Sequence, residues 1–470
     1  MATTFLRMPV RCEHGAFAPL SAILILALAA GILTSWWVAL GIAVLGAGVV
    51  AAPLALLPAL VVVVSAASFV DNDHGQLTLQ LSVLTLLLLY VVACLLAAHD
   101  GGRWGLPRAG LTTAVLLLEG STLIAGLHGA GAGNSLRYLG LELLPLLGFV
   151  LALFVGGLRL ERKDLRFALG VFVLVALGHV ALGLFGYASG GARRGGIFFT
   201  PVTGMLGLLA FNLLLRARRH RAGLVLLTSA CLLHQMISLT RGYWLGVFAG
   251  LLFSIVAYGR WGAGAVQRWR RLGASLGPIV LLLAVGAMGL AAWFGWGNVG
   301  QMLGTRLASS LGTGQSAETA SNVVRLAEWY AALARIRAAP WLGYGLGYEL
   351  HYQFPIYHVM ARHWIVHEHY LWISLKQGLV GLFLLLGVFA AAMRTSWVAG
   401  ARLEGGDAAW ADSAAAATVY IAVLGLTNYP IAMVNCTFML AFLWGVALAL
   451  RTPARMTFTW RRATAGTSSP

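Results

Sequence analysis

Five histidines crowd one short stretch of the chain, His351, His358, His363, His367 and His369, with Glu349 and Glu368 among them. The stretch runs straight into an apolar segment that begins at residue 369, and apolar membrane helices have no structural need of histidine. Two chemistries use such residues. His363 and His367 are four apart and would share a face if helical, which could serve zinc. The order His-Glu-His at 367–369, however, is not His-Glu-x-x-His, and on a helix Glu368 would face away from both neighbours. The alternative is general-base work by one imidazole, which needs a neutral ring within hydrogen-bond reach of an acceptor hydroxyl. Nearby guanidinium groups favour that neutral ring by charge repulsion, so arginine and histidine are compatible neighbours. The expectation from the residues is general-base work by one histidine of the cluster, and no metal. His351 and His358 read as ordinary surface-loop residues.

The elements that must position these residues are membrane helices. Of 470 residues, 60% are hydrophobic and 10% charged. That leaves too little polar surface for a soluble fold, and the chain reads as an all-α polytopic membrane protein. A span takes ~20 mostly apolar residues. Such runs lie at roughly 17–34, 38–52, 54–70, 77–98, 109–128, 139–158, 167–187, 200–215, 222–239, 242–259, 274–296, 369–393, 412–428 and 431–450. The direct count is fourteen; 38–52 and 54–70 are short and divided only by Pro53, so twelve fits equally and an even number is expected. The chain reads as one integral domain, 1–470, with residues 297–368 inserted as a loop subdomain between two spans. Arg7 and Arg11 before an alanine-rich run are also ingredients of a cleaved signal peptide, but the apolar pattern continues without a soluble mature domain.

The formal charge of +17 is distributed by side of the membrane rather than gathered for nucleic acid. Arg7 and Arg11, Arg103 and Arg108, Arg159 to Arg166, Arg216 to Arg221, Arg260 to Arg271, Arg394 and Arg402, and Arg451 to Arg462 fall in alternate loops. This positive-inside pattern puts both termini in the cytoplasm and the loops 71–76, 129–137, 188–199 and 298–366 outside. Anionic lipid headgroups account for most of the charge. The four cysteines, Cys12, Cys94, Cys231 and Cys436, offer no external pair for a disulfide. With no P-loop, no Cys-x-x-Cys and no strand-to-helix Gly-x-Gly-x-x-Gly, nucleotide-driven transport has no support.

Against that pattern, Arg193, Arg194, Arg241, Arg306, Arg325, Arg335, Arg337 and Arg362 all map outside. A guanidinium presents a planar fork to phosphate oxygens, so several converging at a membrane surface suit a lipid-linked diphosphate. Helix capping and contact with lipid phosphates are the plainer reading, and they fit Arg335 and Arg337. Arg241 stands in SLTRGYWLG at a tight outer hairpin, where a charge must be solvated or paired. Arg193 and Arg194 stand in ARRGGIFFTP, where two glycines free main-chain amides beside the guanidinium groups, the ingredients of an anion nest.

The outer loop 298–366 reads as a lid. Residues 322–339 have the spacing of an amphipathic helix lying along the membrane, with Asn322 as N-cap and Pro340 as its end. Glu328, three residues after Arg325, is placed to pair with it. The following PWLGYGLGYE reads as a flexible turn whose Trp341 and tyrosines suit a headgroup interface or sugar stacking. Within the spans, Glu119 and Glu142 either line a cavity for lipid tails or pair with a polar group on a neighbouring helix.

These residues carry a resemblance. His367-Glu368, nine residues and then Gly378-Leu-Val-Gly381 resembles the signature of O-antigen ligases, in which Asn, Ser or Gln usually stands where this chain has Glu368. RRGGIFFTP resembles the family's R-x-x-G-x-F-x-x-P segment through Arg193, Gly196, Phe198 and Pro201, with Val202 in place of the usual Asn. SLTRGYWLG is similar to the family's Ser-Arg-Gly segment through Arg241 and Gly242. The run from Arg325 through Trp329, Pro340 and Gly343 to Gly345 is similar to its R…W…P-x-x-G-x-G element. The resemblance extends from about residue 190 to 385 and belongs to a superfamily that also holds O-antigen polymerases and protein O-oligosaccharyltransferases.

The resemblance implies 12 to 14 transmembrane helices of the membrane-embedded glycosyltransferase (GT-C-like) type with a helical periplasmic lid, in the bacterial inner membrane. It implies metal-independent transfer of O-antigen from undecaprenyl diphosphate to lipid A–core, without a cofactor. Arg193, Arg194, Arg241 and Arg325 would clamp the diphosphate, His367 would be the base with Glu368 as a substitute base and His369 as an aid, and Trp329, Arg362, His363 and His369 would face the acceptor or lid. Direct displacement by the acceptor hydroxyl would invert the anomeric carbon. A polymerase would use the same arginines with a second diphosphate-linked acceptor. A transporter would use the charges for binding alone, yet only Glu119 and Glu142 lie near the midplane where transporters bind their cargo.

Overall fold

Apolar runs separated by charged or glycine-bearing turns become helices because, in lipid, a helix satisfies its backbone polar groups within one segment. The computed structural model describes residues 59–60, 62–64, 105–107, 109–188, 201–217, 219–238, 240–260, 265–297, 304, 317–354 and 359–451. The helices are α1 (Gly110–Gly131), α2 (Leu136–Leu147), α3 (Val150–Gly156), α4 (Arg162–Ala188), α5 (Pro201–Arg216), α6 (Arg221–Ile237), α7 (Arg241–Gly259) and α8 (Ala265–Phe294). After them come α9 (Ala317–Ala338), α10 (His369–Arg402), α11 (Gly405–Leu424), a 3-10 turn at Pro430–Ala432, and α12 (Val434–Arg451). Among the described residues seven spans are long and apolar enough to cross a membrane, α2 and α3 counting as one, and α5 and α6 are shorter apolar helices. Apart from residues 59–60 and 62–64, the runs expected before residue 105 lie outside the described residues, as do Arg193, Arg194, Arg306 and His358.

α11 is the centre of the packing and touches α5, α7, α10 and α12. Its alanines, Ala408, Ala409, Ala411 and Ala414 to Ala417, are fully buried, and small side chains are what let membrane helices approach closely. At the end of α5, Arg216 meets Asp412 of α11, and Arg260, just past α7, reaches the other oxygen of the same carboxylate at 2.5 Å. Arg260 also lies 3.4 Å from the Trp397 ring centroid. Two of the arginines assigned to inner loops are therefore fixed to the protein through one carboxylate.

Glu142 of α2 pairs with Lys376 of α10, both fully buried, so of its two expected roles pairing is the one observed. Its second oxygen accepts from the Gly347 main-chain N–H at 2.6 Å, and Lys376 also donates to the Tyr348 carbonyl. Glu119 is buried in α1.

α10 is not continuous. At Gly378 the backbone turns to φ 65°, ψ −169°, and the segment 340–346 fills the break. Leu379 and Val380 donate to the carbonyls of Pro340 (2.7 Å) and Trp341 (3.3 Å), while Tyr344 and Gly345 donate to those of Leu375 and Lys376, both at 2.9 Å. A Cβ at Gly378 would overlap the Trp341 carbonyl, which is the physical reason for glycine there. The Pro-Trp-Leu-Gly-Tyr-Gly-Leu-Gly segment, expected as a flexible turn, is thus a docked plug. The lid departs from expectation in two further ways. α9 begins at Ala317, so Asn322 lies inside the helix instead of capping it, because nothing in Ala-Glu-Thr-Ala-Ser interrupts a helix. The lid is also not purely helical: β1 (Leu350–Phe354) and β2 (Val359–His363) form an antiparallel hairpin in which His351 faces Arg362 and Leu350 faces His363.

Candidate functional site

Three elements of the lid and its junction bring charged and titratable groups together. α9 carries Arg325 and, one turn on, the adjacent Glu328 and Trp329; the hairpin ends at His363; the bend after it presents His367 shortly before α10. The bend is pinned by buried Val366 and by Trp364, which stacks on Tyr138 at 5.4 Å.

Glu328 is the hub. Its side chain is 1% exposed, and it takes His367 Nδ1 at 2.9 Å, His363 Nδ1 at 3.2 Å and the His367 main-chain N–H at 3.0 Å. Burial on its own would raise this carboxyl. The hydrogen bonds from His363 and His367, the charge of His367 and its main-chain N–H outweigh burial and hold the group at about 2. Glu328 is therefore an anion at neutral pH that accepts hydrogen bonds from His363 and His367, where the sequence had placed it opposite Arg325. The two rings remain 33% and 36% exposed, with the Nδ1 edge turned to the carboxylate and the remaining nitrogen free of it. Tyr352 adds its hydroxyl to His363 Nδ1 at 3.3 Å, and Tyr429 lies edge-on to the His367 ring at 5.6 Å.

A turn that sequence reasoning missed, Thr427 to Tyr429, joins this cluster to the arginines. Arg325 donates to the Thr427 carbonyl at 3.3 Å. Gly242, next to Arg241 at the start of α7, is pressed on the side chains of Thr427 and Asn428 so closely that a Cβ would overlap both. Arg241, Arg325 and His367 are thus arranged about one turn; the only signal for it in the chain is Asn428-Tyr429-Pro430, a turn-forming string between two apolar runs. Arg193 and Arg194 lie outside the described residues.

The other expected site residues divide. Glu368 is the N-cap of α10: its oxygens accept the main-chain N–H groups of Tyr370 at 3.0 Å and Leu371 at 2.5 Å. Burial raises its carboxyl to about 7 in spite of those two donors. A cap explains the carboxylate without a chemical role. His369 is fully buried, with neither ring nitrogen hydrogen-bonded, against Tyr370, Phe389 and the Cα of Gly425, and it does not face the open cluster. Trp329 has a buried indole N–H without a hydrogen bond, and Arg362 is exposed on β2.

His363 and His367 share no helix, so the helical zinc geometry that their spacing allows does not occur. Glu328 supplies the missing element: it and the two histidines each place one ligating atom within 4.8 Å of the others. Chemically the cluster can therefore orient an imidazole base or ligate a cation.

No curated protein matches the chain. Residues 223–386 match the model of the family described as O-antigen ligase, and over that segment, which includes Arg241, Arg325, Glu328, His363 and His367, the chain is similar to that family.

Proposed function

We propose that this multi-pass membrane protein transfers O-antigen glycan from undecaprenyl diphosphate to a sugar hydroxyl of lipid A–core, on the periplasmic side of the bacterial inner membrane. The observation that carries the reading is the bond between His367 Nδ1 and the buried Glu328 carboxylate at 2.9 Å. An imidazole whose Nδ1–H is donated to a fixed anion has its other nitrogen as an acceptor, aimed by the same bond. His367 takes the proton of the acceptor hydroxyl as that oxygen forms its bond to the anomeric carbon. The bond from the anomeric carbon to the diphosphate oxygen breaks, and the electron pair leaves with the diphosphate.

Glu328 offsets the positive charge that the ring acquires, and Arg241 and Arg325, with Arg193 and Arg194, offset the negative charge on the leaving group. Displacement in one step inverts the anomeric centre, and no metal or cofactor takes part. Glu368, whose two oxygens are held by main-chain N–H groups, is the poorer base.

The test is glycan transfer from undecaprenyl diphosphate O-antigen to purified lipid A–core in EDTA. The wild type should transfer, and His367→Ala should bind donor without transferring it. Growth of the donor glycan with lipid A–core left untouched would assign polymerisation instead, and full activity of the variant would remove His367 from the mechanism.

A further inference from the structure

We propose that Glu328, His363 and His367 form a binding site for one divalent transition-metal ion of the Zn2+ type, and that occupancy of this site excludes His367 from acting as a base. The second half rests on the function proposed above; the first does not.

The hydrogen-bonded cluster already has the dimensions of a coordination shell. Its Nδ1-to-carboxylate separations are 2.9, 3.2 and 3.3 Å. Zinc bonds of ~2.0–2.2 Å put tetrahedral ligand atoms roughly 3.3–3.6 Å apart. The whole ligand set lies within 4.8 Å, so a cation in place of the bridging protons asks the side chains to draw in toward it. The three ligands come from three elements that are each held independently: Glu328 from α9, His363 from the end of the hairpin beside Tyr352, and His367 from the bend beside Tyr429.

Two imidazoles and one carboxylate leave coordination positions open, and the roughly one-third exposure of both rings gives those positions access to water. The donor set selects the ion. Imidazole favours zinc and its neighbours over magnesium, and Arg325 one turn away and Arg362 on β2 oppose a weakly held hard cation.

Coordination through Nδ1 has a consequence for the proton. A neutral histidine that gives Nδ1 to a metal carries its hydrogen on Nε2, so the lone pair needed by the acceptor hydroxyl is gone. No proton is lost overall; it changes nitrogen. Metal and acceptor proton therefore compete for the same imidazole, which makes the cluster a point of inhibition by zinc.

The experiment uses the full chain purified in detergent and stripped with EDTA. Zn2+ is titrated against a fluorescent zinc chelator, with Mg2+ as the comparison ion. One Zn2+ per chain is expected, with affinity lowered at least tenfold in Glu328→Gln and in His363→Ala, and by less than twofold in His351→Ala, an exposed histidine on β1. Should Glu328→Gln fail to fold, His363→Gln at a half-open ring carries the same comparison. Binding that is absent, or equal in wild type and both cluster variants, overturns the site. In parallel, transfer by the wild type should fall with zinc occupancy and return with EDTA; transfer that rises with zinc overturns the exclusion. A wild type with no transfer in either condition counts against the proposed function alone, and the titration still decides the site.

Discussion

Glu142 and Glu328 are both buried carboxylates, yet one closes a structure and the other opens on chemistry. Glu142 and Lys376 are each 0% exposed, and the Gly347 N–H completes an enclosure on all sides. Glu328 is as deeply placed at 1%, but both partners are histidines with a third of their surface in the open. A charge pair enclosed on all sides fixes which segments meet and has nothing left to give a substrate. A buried anion behind a half-open ring hands its orientation and its field to a group that can still react. Burial of a carboxylate alone therefore says little about function; the exposure of its partner decides.

The widest separation between the two comes from His367→Ala, for which glycan transfer should fall by as much as about 10⁴-fold while the thermal midpoint in detergent stays near wild type. Lys376→Met attacks the closed pair and should act the other way. Leaving Glu142 buried and unpaired costs about 3–5 kcal/mol, read as a lowered unfolding midpoint, and adding Glu142→Gln should restore much of it. If the single variant were as stable as wild type, the pair would not be the lock described. Glu328→Gln keeps the shape and one acceptor oxygen but removes the charge, and should reduce kcat by about 10–100-fold with donor affinity retained. A change confined to stability would make Glu328 another Glu142. Glu368→Ala is the smallest, a lost cap worth about 1 kcal/mol in the unfolding midpoint. A loss of transfer in Glu368→Ala beyond what that destabilisation explains would return Glu368 to the reaction.

Local features were legible in the sequence and distant pairings were not. From residue 109 onward the apolar runs found the helices to within a few residues at most ends, since hydropathy and length are local properties. His367, Arg241 and Arg325 stood out because a charge or an imidazole at the end of an apolar run needs a reason, and the roles given to them are those of the proposed function. Glu328 was named and given the wrong partner. A carboxylate three residues from an arginine on one helix is the nearest pair by sequence, and the histidines 35 and 39 residues away become neighbours only when the hairpin folds back. Asn322 failed as a cap because capping residues also occur inside helices. The plug at Gly378 was written as motifs, Pro-x-x-Gly-x-Gly and Gly-x-x-Gly, but nothing local says that the two motifs hydrogen-bond to each other.

That plug also bears on how the protein is made. α10 alone is two short helices whose carbonyls at Leu375 and Lys376 and N–H groups at Leu379 and Val380 have no partners of their own across the break. Buried in lipid, each such group costs several kcal/mol until it is satisfied. The segment that satisfies them precedes α10 in the chain and is itself tied to α1 through the Leu346 N–H on the Ala125 carbonyl at 3.0 Å. Synthesis thus delivers the filler before the gap, and α10 becomes comfortable in the membrane only against a surface already waiting for it. Seating that helix and docking the 340–346 segment are the same event, so a released chain truncated just before residue 375 should still be open to protease within 340–346.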